Sequence, residues 1–171
     1  MNRSGELTIT TPGDREIVLS RVFDAPRDLV FEALSKPELV KQWLLGPPGW
    51  SMIVCEIDLK VGGGFRYVWR DSKGAEMAMR GVYREIVPNQ RVVSEDSFEF
   101  GCEAQAGKQV ATTVLTEDQG RTTFTCTVVY PSKAARDATI ASGMEKGVAA
   151  SYARLAQLVN SEPRYTASGA R

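Results

Sequence analysis

The stretch Ser132–Val159 constrains this chain more than any other. Met144, Val148, Tyr152, Leu155 and Val159 recur at spacings of three and four, which places them on one face of a helix. No earlier stretch has a helical pattern of comparable length. The chain before it alternates with a period of two, broken by turn residues, as short strands do. A single long amphipathic helix that follows a run of strands must bury its stripe against the sheet they form. The pattern is α+β, and it leaves open whether the helix closes a solid core or roofs a cavity.

The strands can be placed in order. Residues 1–15 read as a flexible lead-in. Glu16–Phe23 is a first strand. Asp24 as cap and Pro26 in the first turn open a short helix with Val30, Phe31 and Leu34 on its apolar face. Ser35-Lys-Pro-Glu38 has the form of a capping box for a second short helix carrying Leu39, Val40 and Trp43. Gly46-Pro-Pro-Gly49 ends the pair. Strands follow at Met52–Asp58, from Phe65, at Glu76–Val87, Gln90–Phe98, Gln109–Thr116 and Arg121–Tyr130, with the loosest loop at Glu99–Lys108. Gly62-Gly-Gly64 precedes a strand and lacks a following GK[ST], so it reads as a tight hairpin or bulge and not as a phosphate cradle. Gly81 is a candidate bulge. Ser142-Gly-Met-Glu145 resembles a second capping box, so the long helix is expected to break or kink there, and residues 161–171 to form a flexible tail. The expected architecture is one domain over 16–160, a strongly curved antiparallel sheet of about seven strands gripping the C-terminal helix.

Composition removes several classes of function. Among 171 residues, 43% are apolar and 25% charged, and the 21 Lys and Arg balance the 21 Asp and Glu. Without a cationic excess a nucleic-acid partner is not expected. Histidine is absent, so Ser-His-Asp and Cys-His nucleophiles and histidine-ligated zinc or haem are excluded as written. Cys55, Cys102 and Cys126 make no CxxC pair and read as free thiols. No metal or cofactor is expected. The first residues carry no signal-peptide core, and no stretch approaches the about twenty apolar residues of a membrane span, so a cytoplasmic location is expected.

Particular words in the chain resemble a known superfamily. They are Arg21-Val-Phe-Asp-Ala-Pro26, Val40-Lys-Gln-Trp43, Glu56-Ile-Asp-Leu-Lys-Val-Gly-Gly63 with Phe65-Arg-Tyr67, Gly81-Val-Tyr-Arg-Glu-Ile-Val-Pro88, and Gly143-Met-Glu-Lys-Gly147 with Tyr152-Ala-Arg-Leu155. The superfamily is the START-like, birch-pollen-allergen-like SRPBCC group. Within it the likeness is to homologues of the C-terminal domain of the activator of heat-shock protein 90 ATPase. The resemblance spans about Glu16 to Val159. It implies a helix-grip fold with a deep cavity between the sheet and the C-terminal helix, often holding a hydrophobic small molecule. Some members are polyketide cyclases or dehydratases. The eukaryotic activators carry an extra N-terminal domain for chaperone binding, for which this chain has no room, so the activator name would describe ancestry more than job.

The aromatic strand face Phe65, Tyr67 and Trp69, with Phe124, Val128, Met144, Val148 and Tyr152, is expected to face the interior, and Met79 joins this set. Trp43, beside the Pro-Gly loop, is a gate or a plug. If Val92 and Phe98 point inward, a period of two carries Ser94 and Asp96 inward as well. An aspartate there would have its pKa raised by desolvation, which suits a ligand hydrogen bond or a general base. Asp96 is thus the candidate catalytic residue, unless a bulge turns it outward; Arg80 is a candidate partner for it. The leading functional expectation is binding of a hydrophobic or aromatic small molecule. The alternatives are a cyclase- or hydrolase-like enzyme and a stress-related co-chaperone-like protein, and the sequence leaves a homodimer open.

Overall fold

The computed structural model describes residues 5–100 and 107–160. The elements are β1 (Thr8–Thr10), β2 (Glu16–Phe23), α1 (Arg27–Ser35), α2 (Pro37–Trp43), β3 (Trp50–Ile57), β4 (Gly64–Asp71), β5 (Glu76–Val87), β6 (Arg91–Phe100), β7 (Lys108–Asp118), β8 (Arg121–Val129), α3 (Lys133–Ala141) and α4 (Met144–Asn160). All the strands form one eight-stranded sheet in the order β1-β2-β8-β7-β6-β5-β4-β3. Its pairings are antiparallel throughout. The α+β helix-grip arrangement expected from the chain is the one observed.

Within the lead-in, Thr8–Thr10 pairs with Val18–Ser20 as an edge strand. Three residues are too few for a period-two signal, which is why the sequence reading passed over β1. The tail expected at residues 161–171 and residues 101–106 of the expected loop, with Cys102, lie outside the described residues.

Alternation along β2 buries Ile17, Leu19, Arg21 and Phe23. Their partners on β8 are Val128, Cys126, Phe124 and Thr122. These two strands carry one wall of the main core, closed by Val30 and Ala33 of α1 and by Leu155 and Val159 of α4. A second cluster joins Val40 of α2 to Tyr67 and Trp69 of β4.

The helix boundaries follow a chemistry other than the one expected. Asp24 does not cap α1; it pairs with Arg121 at 2.7 Å, and Pro26 occupies the cap position. The orphan N–H of Arg27 is instead received by Glu117 at 2.8 Å, from the far end of β7. At both expected capping boxes the serine turns backward. Ser35 Oγ donates to the Phe31 carbonyl at 2.6 Å and Ser142 Oγ to the Thr139 carbonyl at 2.6 Å. A hydroxyl can satisfy the end of one helix as readily as the start of the next, and here it does the former. Only Ser132 caps forward, accepting from Ala135 N at 3.0 Å.

The long helical region does break at the expected place. Gly143, with φ at +79°, separates α3 from α4. Gly147 serves a different purpose: a Cβ there would lie 3.2 Å from the Pro47 ring. One helical turn on, Ser151 Oγ accepts from Gly46 N at 3.4 Å, and Arg154 reaches the Gly46 carbonyl at 3.4 Å. The buried residues of α4 are accordingly Gly147, Ser151, Leu155 and Val159. Met144, Val148 and Tyr152 flank this stripe and do not form its centre.

Candidate functional site

A cavity of about 200 Å³ lies between the concave face of the sheet and the helices. The helices line it unevenly. Phe31, Leu34 and Ser35 come from α1, Val40 and Trp43 from α2, and Tyr152 alone from α4. The cavity that the family resemblance implies between the sheet and the C-terminal helix is thus lined on its helical side mainly by the two short helices, with α4 contributing Tyr152. Gly147 and Ser151 of the α4 stripe pack on the Gly46–Pro47 segment while Leu155 and Val159 enter the main core, and α4 lies against α1 and α2.

Seven of the residues singled out in the sequence line this cavity: Trp43, Phe65, Tyr67, Ser94, Asp96, Phe124 and Tyr152. Trp43 is a fixed wall, 3% exposed, with its indole N–H donating to the Ala33 carbonyl at 2.8 Å. Tyr152 lies between Trp43 and Phe124, with ring centroids at 5.4 and 5.1 Å. Phe65 stacks on Tyr67 at 4.6 Å. These contacts hold the aromatic wall in one arrangement.

Six others lie elsewhere. Trp69 is buried in the second cluster, where its indole donates to the Leu44 carbonyl at 2.9 Å. Met79 sits opposite Tyr67 in the sheet and packs on that cluster. Phe98 is paired with Met79, and the register shifts immediately beyond it, ahead of Phe100. Val128 belongs to the main core, opposite Ile17. Val148 packs at the edge of that core, and Met144, at the first turn of α4, is only partly buried. Alternation and helical spacing identify the buried face of an element correctly in most of these cases. They do not say which part of that face borders empty space.

Asp96 is the polar centre. It is 4% exposed and in register with Gly81 on β5 and Gln109 on β7. The register shifts of β5 and β6 fall between Ala78 and Met79 and between Tyr83 and Glu85, on either side of this pair. Asp96 therefore keeps its inward facing, and Gly81 is not a bulge. A Cβ at Gly81 would meet Asp96 Oδ1 at 2.5 Å and the Phe65 ring. Glycine there makes the room that the carboxyl and the ring occupy. Arg80, one residue earlier, is exposed and pairs in register with Ser97 and Arg66, so it lies on the opposite face of the sheet from Asp96.

Burial raises the Asp96 carboxyl to about 7; the Ser94 hydroxyl opposes the shift and Glu95 adds to it. Oδ1 has no hydrogen-bond partner among the described residues. Tyr67 and Tyr83, which share the cavity, are likewise pushed upward by burial, with Asp96 contributing. A carboxyl poised in this way can accept a hydrogen bond from a bound molecule or exchange a proton with it.

Tyr83, Thr113, Cys126, Leu59 and Arg91 also line the cavity, though none is among the candidate site residues expected from the sequence. Tyr83 lies two residues from Gly81 and Cys126 two from Phe124, so period-two counting from known inward residues would have found both. Leu59, in the β3–β4 loop and 38% exposed, and the exposed Arg91 mark the open end. Loop positions carry no periodicity from which their facing could be read.

A family model described as activator of Hsp90 ATPase homolog 1-like protein matches residues 24–160. The chain belongs to this family. Solved structures share the fold. A protein of Rhodobacter sphaeroides is 26% identical with a TM-score of 0.83, over 91% of this chain and 99% of that one. A protein of Staphylococcus epidermidis is 25% identical at a TM-score of 0.76, covering 91% and 94% of the respective chains. One from Chromobacterium violaceum is 27% identical at 0.74, covering 85% and 96%. No curated protein matches the chain. The family match begins at Asp24, so it includes every lining residue of the cavity. Among the described residues no group of His, Cys, Asp and Glu is arranged to hold a metal ion, and no helix is long and apolar enough to cross a membrane.

Proposed function

We propose that this member of the activator-homologue family binds a hydrophobic or aromatic small molecule in the cavity beneath α1 and α2. The observation that carries this reading is an aromatic-walled space of about 200 Å³ with an open end, at a point where a purely structural core would close. Trp43, Phe65, Tyr67, Phe124 and Tyr152 supply flat apolar surface already held in place by their mutual contacts. A site organised before binding loses little conformational entropy when it is filled. The volume is below the roughly 300–1,000 Å³ of drug-sized pockets, which favours a ligand of one or two rings.

Titration with naphthalene-like probes, followed by tryptophan fluorescence and native mass spectrometry, tests the reading. Saturable binding of one probe per chain is expected, with the melting temperature rising as probe is added. A probe at a hundred times its Kd should stabilise the fold by about 2.7 kcal/mol. Absence of saturable binding by one- and two-ring probes would overturn the proposal.

A further inference from the structure

We infer that the ligand of this cavity carries a hydroxyl or N–H donor on its aromatic body, and that Asp96 receives it. The inference rests on the binding reading above and narrows it to a chemical class. An apolar cavity asks only for shape, whereas this one holds a carboxyl that is 4% exposed and whose Oδ1 has no partner among the described residues. Asp96 lines the cavity, and buried acceptors are almost always paired, so an unpartnered one in a cavity wall indicates a partner from outside the chain.

The Ser94 hydroxyl reaches the carboxyl, but no side chain among the described residues pairs with Oδ1. Tyr67 on β4, Tyr83 on β5, Thr113 on β7, Cys126 on β8 and Tyr152 on α4 line the same cavity, and Ser94 and Glu95 flank the carboxyl on its own strand. None is a cation. Arg91, the positive residue of the lining, is exposed and paired with Glu85 at 3.1 Å. The position is also built for a carboxyl. Gly81 opposite leaves the space in which Oδ1 and the Phe65 edge meet, and any side chain there would displace them. The aromatic wall and the acceptor thus describe one molecule, a flat ring with a donor on its edge.

The test compares two probes of similar size, 2-naphthol and 2-methylnaphthalene, by calorimetric titration of the full chain. At pH about 8 the wild type should bind 2-naphthol about tenfold or more tightly than its methyl counterpart, as expected for a hydrogen bond to a charged acceptor. At pH about 5.5, where the carboxyl is largely protonated, that preference should shrink. Asp96→Leu should abolish or invert it, read as the ratio of the two affinities in the same variant. Asp96→Asn, which retains an acceptor without the charge, should show a smaller preference that does not change with pH. Equal binding of both probes by the wild type would overturn the inference and leave the binding function standing. Failure of both probes to bind would remove the binding function, and the inference with it. A preference that survives unchanged in Asp96→Leu would also overturn the inference, because the donor would then be received elsewhere.

Discussion

Asp96 meets very different surroundings in the unfolded and folded chain. Its carboxyl moves from 3.8 to about 7 on folding, chiefly through burial. Below about pH 4 both states hold the proton and the residue is neutral to stability. Between about 4 and 7 only the folded state keeps it, so each unit of rising pH costs about 1.4 kcal/mol. Above about 7 the whole penalty is present, on the order of 4 kcal/mol. Stability should therefore fall as pH rises from about 4.5 to 8, the reverse of an aspartate held by a salt bridge. Asp96→Asn should flatten the profile and be the more stable protein at pH about 8 by a few kcal/mol. Urea unfolding of both proteins across that range checks this, and parallel profiles would refute it. The inward facing of Asp96 was legible from alternation with Ser94 and Val92. Its orphaned oxygen was not, because that depends on Gly81 and Gln109 arriving opposite from other strands.

At the scale of elements, α3 and α4 are separated by one glycine and docked by another. Gly143 has a left-handed backbone with open space around it. Gly143→Ala should cost about 1–2 kcal/mol through backbone strain alone, and Gly143→Asn less. Gly147 lies inside α4 against Pro47. Alanine there gains up to about 1 kcal/mol of helix propensity and loses part of it to the close contact, so Gly147→Ala should be neutral within about 1 kcal/mol. Gly147→Leu should cost about 1–3 kcal/mol by prising α4 from the loop. Chemical denaturation of the four variants separates the two roles. The sequence placed the break correctly but attributed it to a capping box. A serine between two helices has a hydrogen bond available on either side, and only the path of the chain decides between them.

For the molecule as a whole, the sheet, α1 and α2 enclose a space that no single element specifies. Ala111 on β7 borders it opposite Ser94. Ala111→Leu should fill part of the cavity, so probe affinity should fall at least tenfold while thermal stability holds or rises by up to about 1 kcal/mol. If binding persisted undiminished in a folded Ala111→Leu protein, the probe would be shown to sit elsewhere. The position of α4 follows the same logic. Once Gly147 and Ser151 lie on the Gly46–Pro47 segment, only Tyr152 of that helix remains turned towards the cavity.

The amino-acid sequence determined the α+β order, the strand faces and the break in the final helix, because each is written in local periodicity or in a residue with special backbone freedom. It also placed an aspartate on an inner strand face. The tertiary structure alone decided that Val128 and Trp69 border packed surroundings while Tyr83, Thr113 and Cys126 border open space. Burial is a property that one strand or helix can encode. A void is the gap left among several elements, and its shape exists only when all of them are in place.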